Sequence, residues 1–402
     1  MNRKWIPKIT FWRLVFAAIM VMGLYVTYIR LFKGLGASTA LSDKVPWGLW
    51  VGFDVLCGVG LAAGGFTITL IVHVFNIKKY KPILPSTVLS AFLGYLLVNA
   101  GLILDIGRPY RIWHPLIMWN PHSVMFEVAW CVMMYTTVLS LEFSPIIFER
   151  LKWKKPIKIV KTITIPLVIM GFILSTLHQS SLGTVFLIVP GRLHPLWYTP
   201  ILPLMFFISA IATGFSMVIF ESYLSRRAFN KRLELDILAS IGRVVLVILA
   251  VYFVLKTKDL YNRGALKLLL DGSHESKMFM LEMGFGVVAP LALLSVRRIR
   301  ESQGGLFVAS VMVVMGFVMN RLNVSITGMM RSSGANYFPS WMEIGATMFL
   351  VAAGFALFAA AVKYLRVFPE EKPAAEPAET LELLVPQRRT PHNAGMAAPV
   401  GE

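Results

Sequence analysis

The chain has few cysteines and few charged residues. Only two of its 402 residues are cysteine, Cys57 and Cys131, which is too few thiolates to ligate an iron–sulfur cluster or to build a disulfide framework. Charged residues make up 15% of the chain, against roughly 25% in soluble domains. Hydrophobic residues make up 56%, and the mean hydropathy is +0.68. A water-soluble globule cannot bury this much apolar side chain, so the composition indicates an integral membrane protein.

Basic residues outnumber acidic residues, 39 to 21, which gives a formal net charge of +18. The lysines and arginines stand in short clusters between apolar runs, not along one stripe that could line a groove for phosphates. The charge pattern therefore predicts no nucleic-acid partner.

Apolar runs of about 20 residues are long enough to cross a bilayer as helices. The sequence has ten such runs and predicts an all-α integral membrane protein with about ten transmembrane helices. The first run has no small-residue cleavage site and is too long for a signal-peptide core, so we expect it to be retained. The runs cover residues 11–32, 47–76, 85–106, 121–143, 159–178, 200–224, 237–255, 278–296, 306–322 and 341–365.

Lysine and arginine are distributed unequally between the two sets of loops. Twenty-five fall in the set that includes both termini, and thirteen fall in the alternate set. The positive-inside rule then predicts that both termini are cytoplasmic. The 256–277 loop supports this least, because it holds five of the thirteen. We expect a cytoplasmic N-terminus at 1–10, a transmembrane domain at 11–366 and a disordered cytoplasmic tail at 367–402, rich in Pro, Ala and Glu.

A weak internal repeat links the two halves of the chain. Trp47 precedes Gly64 by seventeen residues, and Trp197 precedes Gly214 by the same interval, each at the predicted outer start of a long apolar run. Duplicated membrane bundles leave such traces. Duplication and coincidence explain this single pair of matches about equally well.

Charged residues within the spans are costly and therefore informative. Asp54 and Glu127 each lie about 10 Å inside the predicted outer boundary, at roughly 1.5 Å per residue. Two acids at one depth favour a functional site, although either acid could instead pair with Arg108 or Arg321. Other polar residues expected near the outer face are Asp105, Arg111, His114, His122, His178, Gln179, Arg192, His194, Asn320 and Glu343, while the inner halves hold chiefly His73, Glu142, Glu221 and Arg243.

Small residues follow Asp54 along one helical face. Gly58, Leu61 and Gly65 recur at i+4, i+7 and i+11 from it, so a flat ligand or another helix could approach closely there. Residues 60–64 also form a GxxxG motif, which most often marks helix packing.

Histidines do not predict a haem site. Haem b needs two axial ligands at matched depth on different spans, and His73 has no partner near the inner face. His122 and His178 could face each other, but both lie close to the predicted boundary. We therefore expect no haem and no iron–sulfur cluster in this chain.

Linked sequence blocks resemble the NrfD/PsrC family of quinone-interacting membrane subunits, and within it the HybB type found in [NiFe] hydrogenase-2 complexes. The likeness extends from about residue 30 to 366. The blocks are PWGLWVGFDVLCGVGLAAGGF (46–66), LDIGRPYR (104–111), HSVMFEVAWCV (122–132), LEFSPIIFERL (141–151), LHQSSLGTVFLI (177–188), HPLWYTPILPL (194–204), GFSMVIFE (214–221) and YFPSWMEI (337–344).

The resemblance implies two four-helix bundles with flanking helices in a bacterial cytoplasmic (inner) membrane. It implies a haem-free anchor that exchanges electrons between a quinone, menaquinone or ubiquinone, and a ferredoxin-like iron–sulfur subunit on the periplasmic side. Hydrogenase large and small subunits are the expected catalytic head, and a multihaem cytochrome c head is the alternative. Family-like polar residues map onto Asp54, Asp105, Arg108, Glu127, His178, Gln179, Glu142 and Glu221.

Quinone reduction consumes protons as well as electrons, which suggests roles for these residues. We expect Asp54, Glu127, Asp105, Arg108 and His178 to take part in the chemistry, because the ring oxygens need hydrogen-bond donors and proton relays. Glu221, Glu142 and His73 could carry protons from the cytoplasm, or the outer cluster could take them from outside. A secondary transporter and a purely structural anchor remain the rival classes. The full set expected around the quinone is Asp54, Gly58, Gly65, His114, His122, Glu127, His178 and Gln179.

Overall fold

The computed structural model describes residues 10–188, 190–229, 234–365 and 367. The predicted N-terminal segment, apart from its last residue, and all of the predicted tail except its first residue lie outside the described residues.

Ten helices of the described chain are long and apolar enough to cross a membrane, as the sequence predicts. The described residues contain no β-strand, only an isolated bridge between Ser42 and Val45. The spans are α1 (Phe11–Lys33), α2 (Trp50–His73), α3 (Lys78–Asp105), α4 (Val124–Leu151), α5 (Lys154–Val185), α6 (Leu202–Phe229), α7 (Leu235–Asn262), α8 (His274–Ser295), α9 (Gln303–Ser333) and α10 (Trp341–Tyr364). Short helical segments lie between them at Leu35–Ser38, Pro109–Arg111, His114–Ile117, Ala265–Leu270 and, before α9, Arg297–Arg300.

Serine side chains begin four of the spans. The hydroxyl oxygens of Ser123, Ser273 and Ser302 accept hydrogen bonds from backbone N–H groups three residues later, at the starts of α4, α8 and α9. Ser340 forms a reciprocal capping box with Glu343 at the start of α10. Each cap supplies a partner to an otherwise unpaired N–H at a helix end.

Several helices extend past the runs predicted from hydropathy. Helix α7 continues to Asn262, so Lys256 lies within it and is 2% exposed, not in a loop. Helix α8 likewise begins at His274 and takes in Lys277. The loop is therefore shorter than the predicted 256–277, because hydropathy detects the apolar part of each helix and not the polar turns that continue it.

The ten helices form two four-helix bundles with flanking helices. Helices α2–α5 pack as the first bundle and α6–α9 as the second, and α2 packs against α6 between them. Helix α10 packs against α1 and α3, outside the bundles. One large apolar core runs through both bundles, and a second core fills the end of α6–α9 together with Ile68 and Val72 of α2.

The two glycines of the internal repeat meet at the interface between the bundles. A Cβ atom on Gly64 would lie 2.7 Å from the carbonyl oxygen of Gly214, and one on Gly214 would lie 2.5 Å from the backbone nitrogen of Gly64. Gly64 and Gly214 are 150 residues apart in the chain, and so are Ser123 and Ser273, the caps of α4 and α8. Equivalent residues of two parallel repeats meet where a two-fold axis passes between them, so the structure favours duplication over coincidence.

Helix packing explains the GxxxG motif, as predicted. Gly60 accommodates the ring of Phe317 on α9, whereas Gly64 faces Gly214 on α6. The motif therefore lets α2 approach two helices of the second bundle. Within that bundle, Gly286 of α8 and Gly316 of α9 touch through their backbones.

Gly64→Ala tests this packing. We expect the free energy of unfolding in detergent to fall by about 1–3 kcal/mol, the usual cost of overpacking, because the new methyl group meets backbone atoms that cannot move aside. Gly304→Ala on α9 is the matched control, since nothing lies within 4 Å of its added Cβ. Thermal unfolding of both variants measures the difference, and equal stabilities would contradict the glycine contact.

Candidate functional site

A cavity of about 380 Å³ lies between α2, α3, α6 and α10. Gly58 and Gly65 line it from α2, and Gly64 and Gly214 line it where the bundles meet. Its walls are mostly apolar, and its volume falls within the range of about 300–1,000 Å³ that is usual for small-molecule sites.

Asp54 lies at the end of the cavity near the predicted outer face. It sits in a π-helical turn at Trp50–Val55 and is 7% exposed. Its Oδ2 accepts a hydrogen bond of 2.9 Å from the hydroxyl of Thr347 on α10. Neither Arg108 nor Arg321 pairs with it, so its observed partner is neutral. π-Helical turns often occur at functional sites.

Glu343 connects the segment before α2 to the start of α10. Its carboxylate accepts hydrogen bonds from the Tyr337 hydroxyl at 2.5 Å and from the backbone N–H groups of Ala40 at 2.9 Å and Ser340 at 2.8 Å. The Tyr337 oxygen accepts in turn from the Leu49 N–H at 2.8 Å. Burial and the Glu343 carboxylate raise the pKa of Tyr337, so this phenol keeps its proton.

Asp105 closes α3 next to this end of the cavity. It is close enough to interact electrostatically with both Asp54 and Arg30. The Arg30 guanidinium on α1 donates hydrogen bonds to the carbonyl oxygens of Leu104 and Ile106. The end of α3 is therefore held by a buried cation beside two carboxyl groups.

Glu221 and Ser90 line the cavity toward the predicted inner face. The cavity reaches the protein surface beside α10, because Val351 and Phe355 line it and are 41% and 57% exposed. A hydrophobic molecule could enter there from the bilayer.

The other residues expected at the quinone lie away from the cavity. His178 and Gln179 are fully buried within the first bundle, so His178 is not the wetted boundary residue that its sequence position allows. Glu127 is partly buried in the first turn of α4. His114 and His122, which were also expected around the quinone, lie between α3 and α4, as does Arg108. His114 packs on Trp113, while His122 and Arg108 are exposed.

The three residues of the predicted inner proton path have different surroundings. Glu221 lines the cavity, whereas Glu142 lies near Tyr135 on α4 and His73 is exposed at the end of α2. Among the described residues no direct hydrogen bond joins the three side chains, and their role as a proton path stays a prediction.

Sequence reasoning missed Glu282, the centre of a polar network in the second bundle. This carboxylate is 2% exposed and accepts hydrogen bonds from Trp197 Nε1 at 2.9 Å, Asn320 Nδ2 at 2.7 Å and Asn323 Nδ2 at 2.8 Å. Arg321 donates to the Asn320 side-chain oxygen at 2.7 Å. Glu282 lies inside a predicted run, so its charge was the signal that could have found it.

Lys256 adds a second buried cation to the same region. Its ammonium donates to the carbonyl oxygen of Leu196 at 3.0 Å and lies 5.4 Å from the centre of the Phe279 ring. The nearby ion pair between Arg263 and Asp259 spans 2.5 Å. The buried charges of the second bundle, Glu282 and Lys256, thus have hydrogen-bond partners from several segments of the chain.

The described residues contain no group of three or more His, Cys, Asp and Glu side chains placed to bind a metal ion. The ring of His178 faces Tyr95, and that of His194 faces Trp197. That the chain holds no haem stays a prediction.

Known proteins match most of the chain. The model of the family "Polysulphide reductase, NrfD" matches residues 37–333, which include α2–α9. A protein of Nitratidesulfovibrio vulgaris is 41% identical over 83% of this chain and 88% of its own length.

Two further relatives have descriptions that name a complex. The probable Ni/Fe-hydrogenase 2 b-type cytochrome subunit of Escherichia coli is 32% identical over 89% of this chain and 93% of its own length. The menaquinone reductase integral membrane subunit of Nitratidesulfovibrio vulgaris is 29% identical over 91% of this chain and 93% of its own length. These matches confirm the resemblance seen in the sequence blocks, and they show that the chain belongs to the polysulphide reductase NrfD family of multi-pass membrane proteins.

Proposed function

We propose that this protein is the membrane anchor and quinone-reactive subunit of a respiratory redox complex. It passes electrons between an iron–sulfur partner subunit and the menaquinone or ubiquinone pool. The observation that carries the proposal is the apolar cavity with Asp54 at one end and an opening at the membrane surface. Similarity to a menaquinone reductase subunit supports the same class of substrate.

The cavity suits a molecule with a polar ring and a long apolar tail. Asp54, bonded to the Thr347 hydroxyl behind it, supplies the polar group at the predicted outer end. Most of the remaining lining is apolar, and the opening beside Val351 and Phe355 gives an isoprenoid tail a route into lipid. We therefore place the quinone ring against Asp54 and its tail along α6 and α10.

Conversion of a quinone to its quinol adds two electrons and two protons, and the new O–H bonds form at the carbonyl oxygens. The Asp54 carboxyl group can hold or release a proton next to these oxygens. The Thr347 hydroxyl orients the carboxyl by donating to its Oδ2. The quinone electrons come from, or go to, the partner's iron–sulfur cluster.

Asp105 is the proposed relay from Asp54 toward the predicted outer face, because it interacts electrostatically with Asp54. Arg108 follows it in the exposed connection after α3. Glu221 is the proposed relay toward the predicted inner face, since it lines the same cavity. Which side supplies the protons, and so whether protons are translocated, depends on which of these routes is used.

A [NiFe] hydrogenase is the proposed catalytic head. Similarity to the Escherichia coli hydrogenase 2 subunit supports it, and a ferredoxin-like iron–sulfur subunit would connect the head to this chain on the periplasmic side. The proposed location is the bacterial inner membrane with both termini in the cytoplasm, supported by the excess of lysine and arginine in one set of loops.

Asp54→Asn tests the assignment of the site. We expect electron transfer from the native donor to quinone to slow at least about tenfold, because the amide cannot relay a proton. Asp43→Asn is the matched control, since Asp43 is exposed and outside the cavity lining. Quinone reduction by the purified, fully assembled complex is the measurement. Wild-type turnover in the assembled Asp54→Asn complex would refute the assignment.

Val351→Trp tests whether the cavity takes the quinone. The larger side chain would narrow the cavity at its opening beside α10, so we expect a several-fold rise in the KM for quinone and weaker labelling by a photoreactive quinone analogue. Met348→Trp is the control: Met348 lies on the same helix, is 44% exposed where Val351 is 41% exposed, and does not line the cavity. Identical effects of both changes would place the quinone elsewhere.

The composition of the native complex tests the partner. Tagged full-length protein purified in mild detergent should carry nickel and iron–sulfur clusters and should reduce quinone with hydrogen. The expected absorption spectrum has no haem band from this chain. Co-purification of a multihaem cytochrome without nickel would show that the alternative head, and not a hydrogenase, is the partner. Isolation without any redox partner would contradict the proposed function.

A further inference from the structure

Basic side chains are concentrated where α4 ends and α5 begins. Half of the residues from 150 to 161 are lysine or arginine, and this stretch contains no acidic residue. All six basic side chains are exposed. Like charges this close together repel each other unless an opposite charge lies between them. The six residues, called here the α4–α5 basic cluster, are Arg150, Lys152, Lys154, Lys155, Lys158 and Lys161.

The α4–α5 basic cluster has no partner within the described part of the chain. None of its six side chains takes part in a hydrogen bond or an ion pair there. Basic residues elsewhere at the predicted inner face do have partners: Arg297 pairs with Glu301 at 2.8 Å, and Arg300 donates to the carbonyl oxygen of Leu294 at 2.5 Å. The cluster is therefore suited to an anion that comes from outside the chain.

Helix α5 is longer than the apolar core of a bilayer. Its 32 residues span about 48 Å at 1.5 Å per residue, whereas the apolar core is roughly 30 Å thick, or about 40–45 Å with the headgroup regions. The helix begins at Lys154, five residues before its apolar run starts at Ile159. The first turns of α5, which carry four of the six cations, therefore lie at the level of the lipid headgroups.

Three of these lysines share a face of α5 with apolar side chains. Lys154, Lys158 and Lys161 stand at i, i+4 and i+7, and Ile165 and Ile169 continue the face at i+11 and i+15. The two isoleucines are 55% and 43% exposed. Cations at one end of an exposed face and apolar side chains along the rest match the headgroup and the acyl chain of a phospholipid.

A tryptophan marks the same level of the bilayer. Trp153 lies between α4 and α5 and is 54% exposed, and its ring stacks on Phe148 of α4 with 5.9 Å between centroids. Tryptophan is enriched at membrane–water interfaces, where its ring lies among the headgroups. Its position supports the placement of the basic cluster at the membrane surface.

We propose that the α4–α5 basic cluster binds an anionic phospholipid. Oxygen atoms of the headgroup phosphate accept hydrogen bonds from the lysine ammonium groups, and one acyl chain lies along Ile165 and Ile169. A bilayer lipid fits better than an acidic protein, because the cations border an exposed apolar face at membrane depth. No residue of α4 or α5 lines the Asp54 cavity, so this site does not rest on the proposed reaction with quinone.

Lipid binding by the purified full-length protein is the first test. Cardiolipin and phosphatidylcholine are the probes, and native mass spectrometry counts the lipid molecules bound at each concentration. Cardiolipin should bind at least about tenfold more tightly than phosphatidylcholine, because each lysine near the headgroups attracts the anion. The triple variant Lys154→Gln, Lys158→Gln and Lys161→Gln should lose most of this preference.

Two control variants separate the site from the net charge of the protein. A Lys→Arg change at the same three positions keeps the charge and should keep the preference for cardiolipin. The variant Lys258→Gln, Lys267→Gln and Lys277→Gln removes equal charge from exposed lysines at the predicted outer face and should bind cardiolipin as the wild type does. An equal loss of preference in this second control would overturn the site.

The position of the lipid is the second test. A photoreactive phosphatidylglycerol in liposomes that contain the full-length protein should label α5 near Ile165 and Ile169, and the triple glutamine variant should be labelled less. Equal affinity for cardiolipin and phosphatidylcholine, or equal labelling of wild type and variant, would overturn the proposal. A crosslink in the native complex from Lys158 to another subunit would instead assign the cluster to a protein partner. The quinone assignment is tested separately by Asp54→Asn and is untouched by these results.

Discussion

Backbone contact between Gly64 and Gly214 joins the two four-helix bundles. A side chain at either position would meet main-chain atoms of the opposite helix, so the absence of side chains sets how closely α2 and α6 approach. The same two glycines line the cavity. The helix that carries Asp54 is thus held against the second bundle on one side and remains open toward α10 on the other, and the cavity depends on that arrangement.

Polar groups within the spans are distributed into separate networks, because the apolar phase offers them no water. Asp54 is bonded to Thr347 beside the cavity, and Glu282 is bonded by Trp197, Asn320 and Asn323 in the second bundle. Each network draws its partners from helices distant in sequence. The two halves of the repeat therefore have similar helix arrangements but different buried polar groups.

The sequence was sufficient to predict the number and class of the helices, because a long apolar run has few structural options in a bilayer. It also predicted that Gly60 and Gly64 pack against helices. It was less accurate at polar helix ends: Lys256 was assigned to a loop but is buried within α7. The spacing shared by Trp47–Gly64 and Trp197–Gly214 could not by itself indicate a duplication. The contact between Gly64 and Gly214 in the structure supports one.

The amino-acid sequence by itself determined a ten-span, all-α membrane protein of the NrfD family, with Asp54 among its candidate polar residues. Depth along a helix can be counted from the sequence, and on that basis Asp54 and Glu127 were grouped together. Only the tertiary structure decided which residues share a space: Asp54, Gly58, Gly65 and Glu221 line the cavity, while His178 and Gln179 are buried inside the first bundle. The physical reason is that the rotation of each helix about its axis, which directs a side chain to one neighbour or another, is set by packing between helices far apart in the chain.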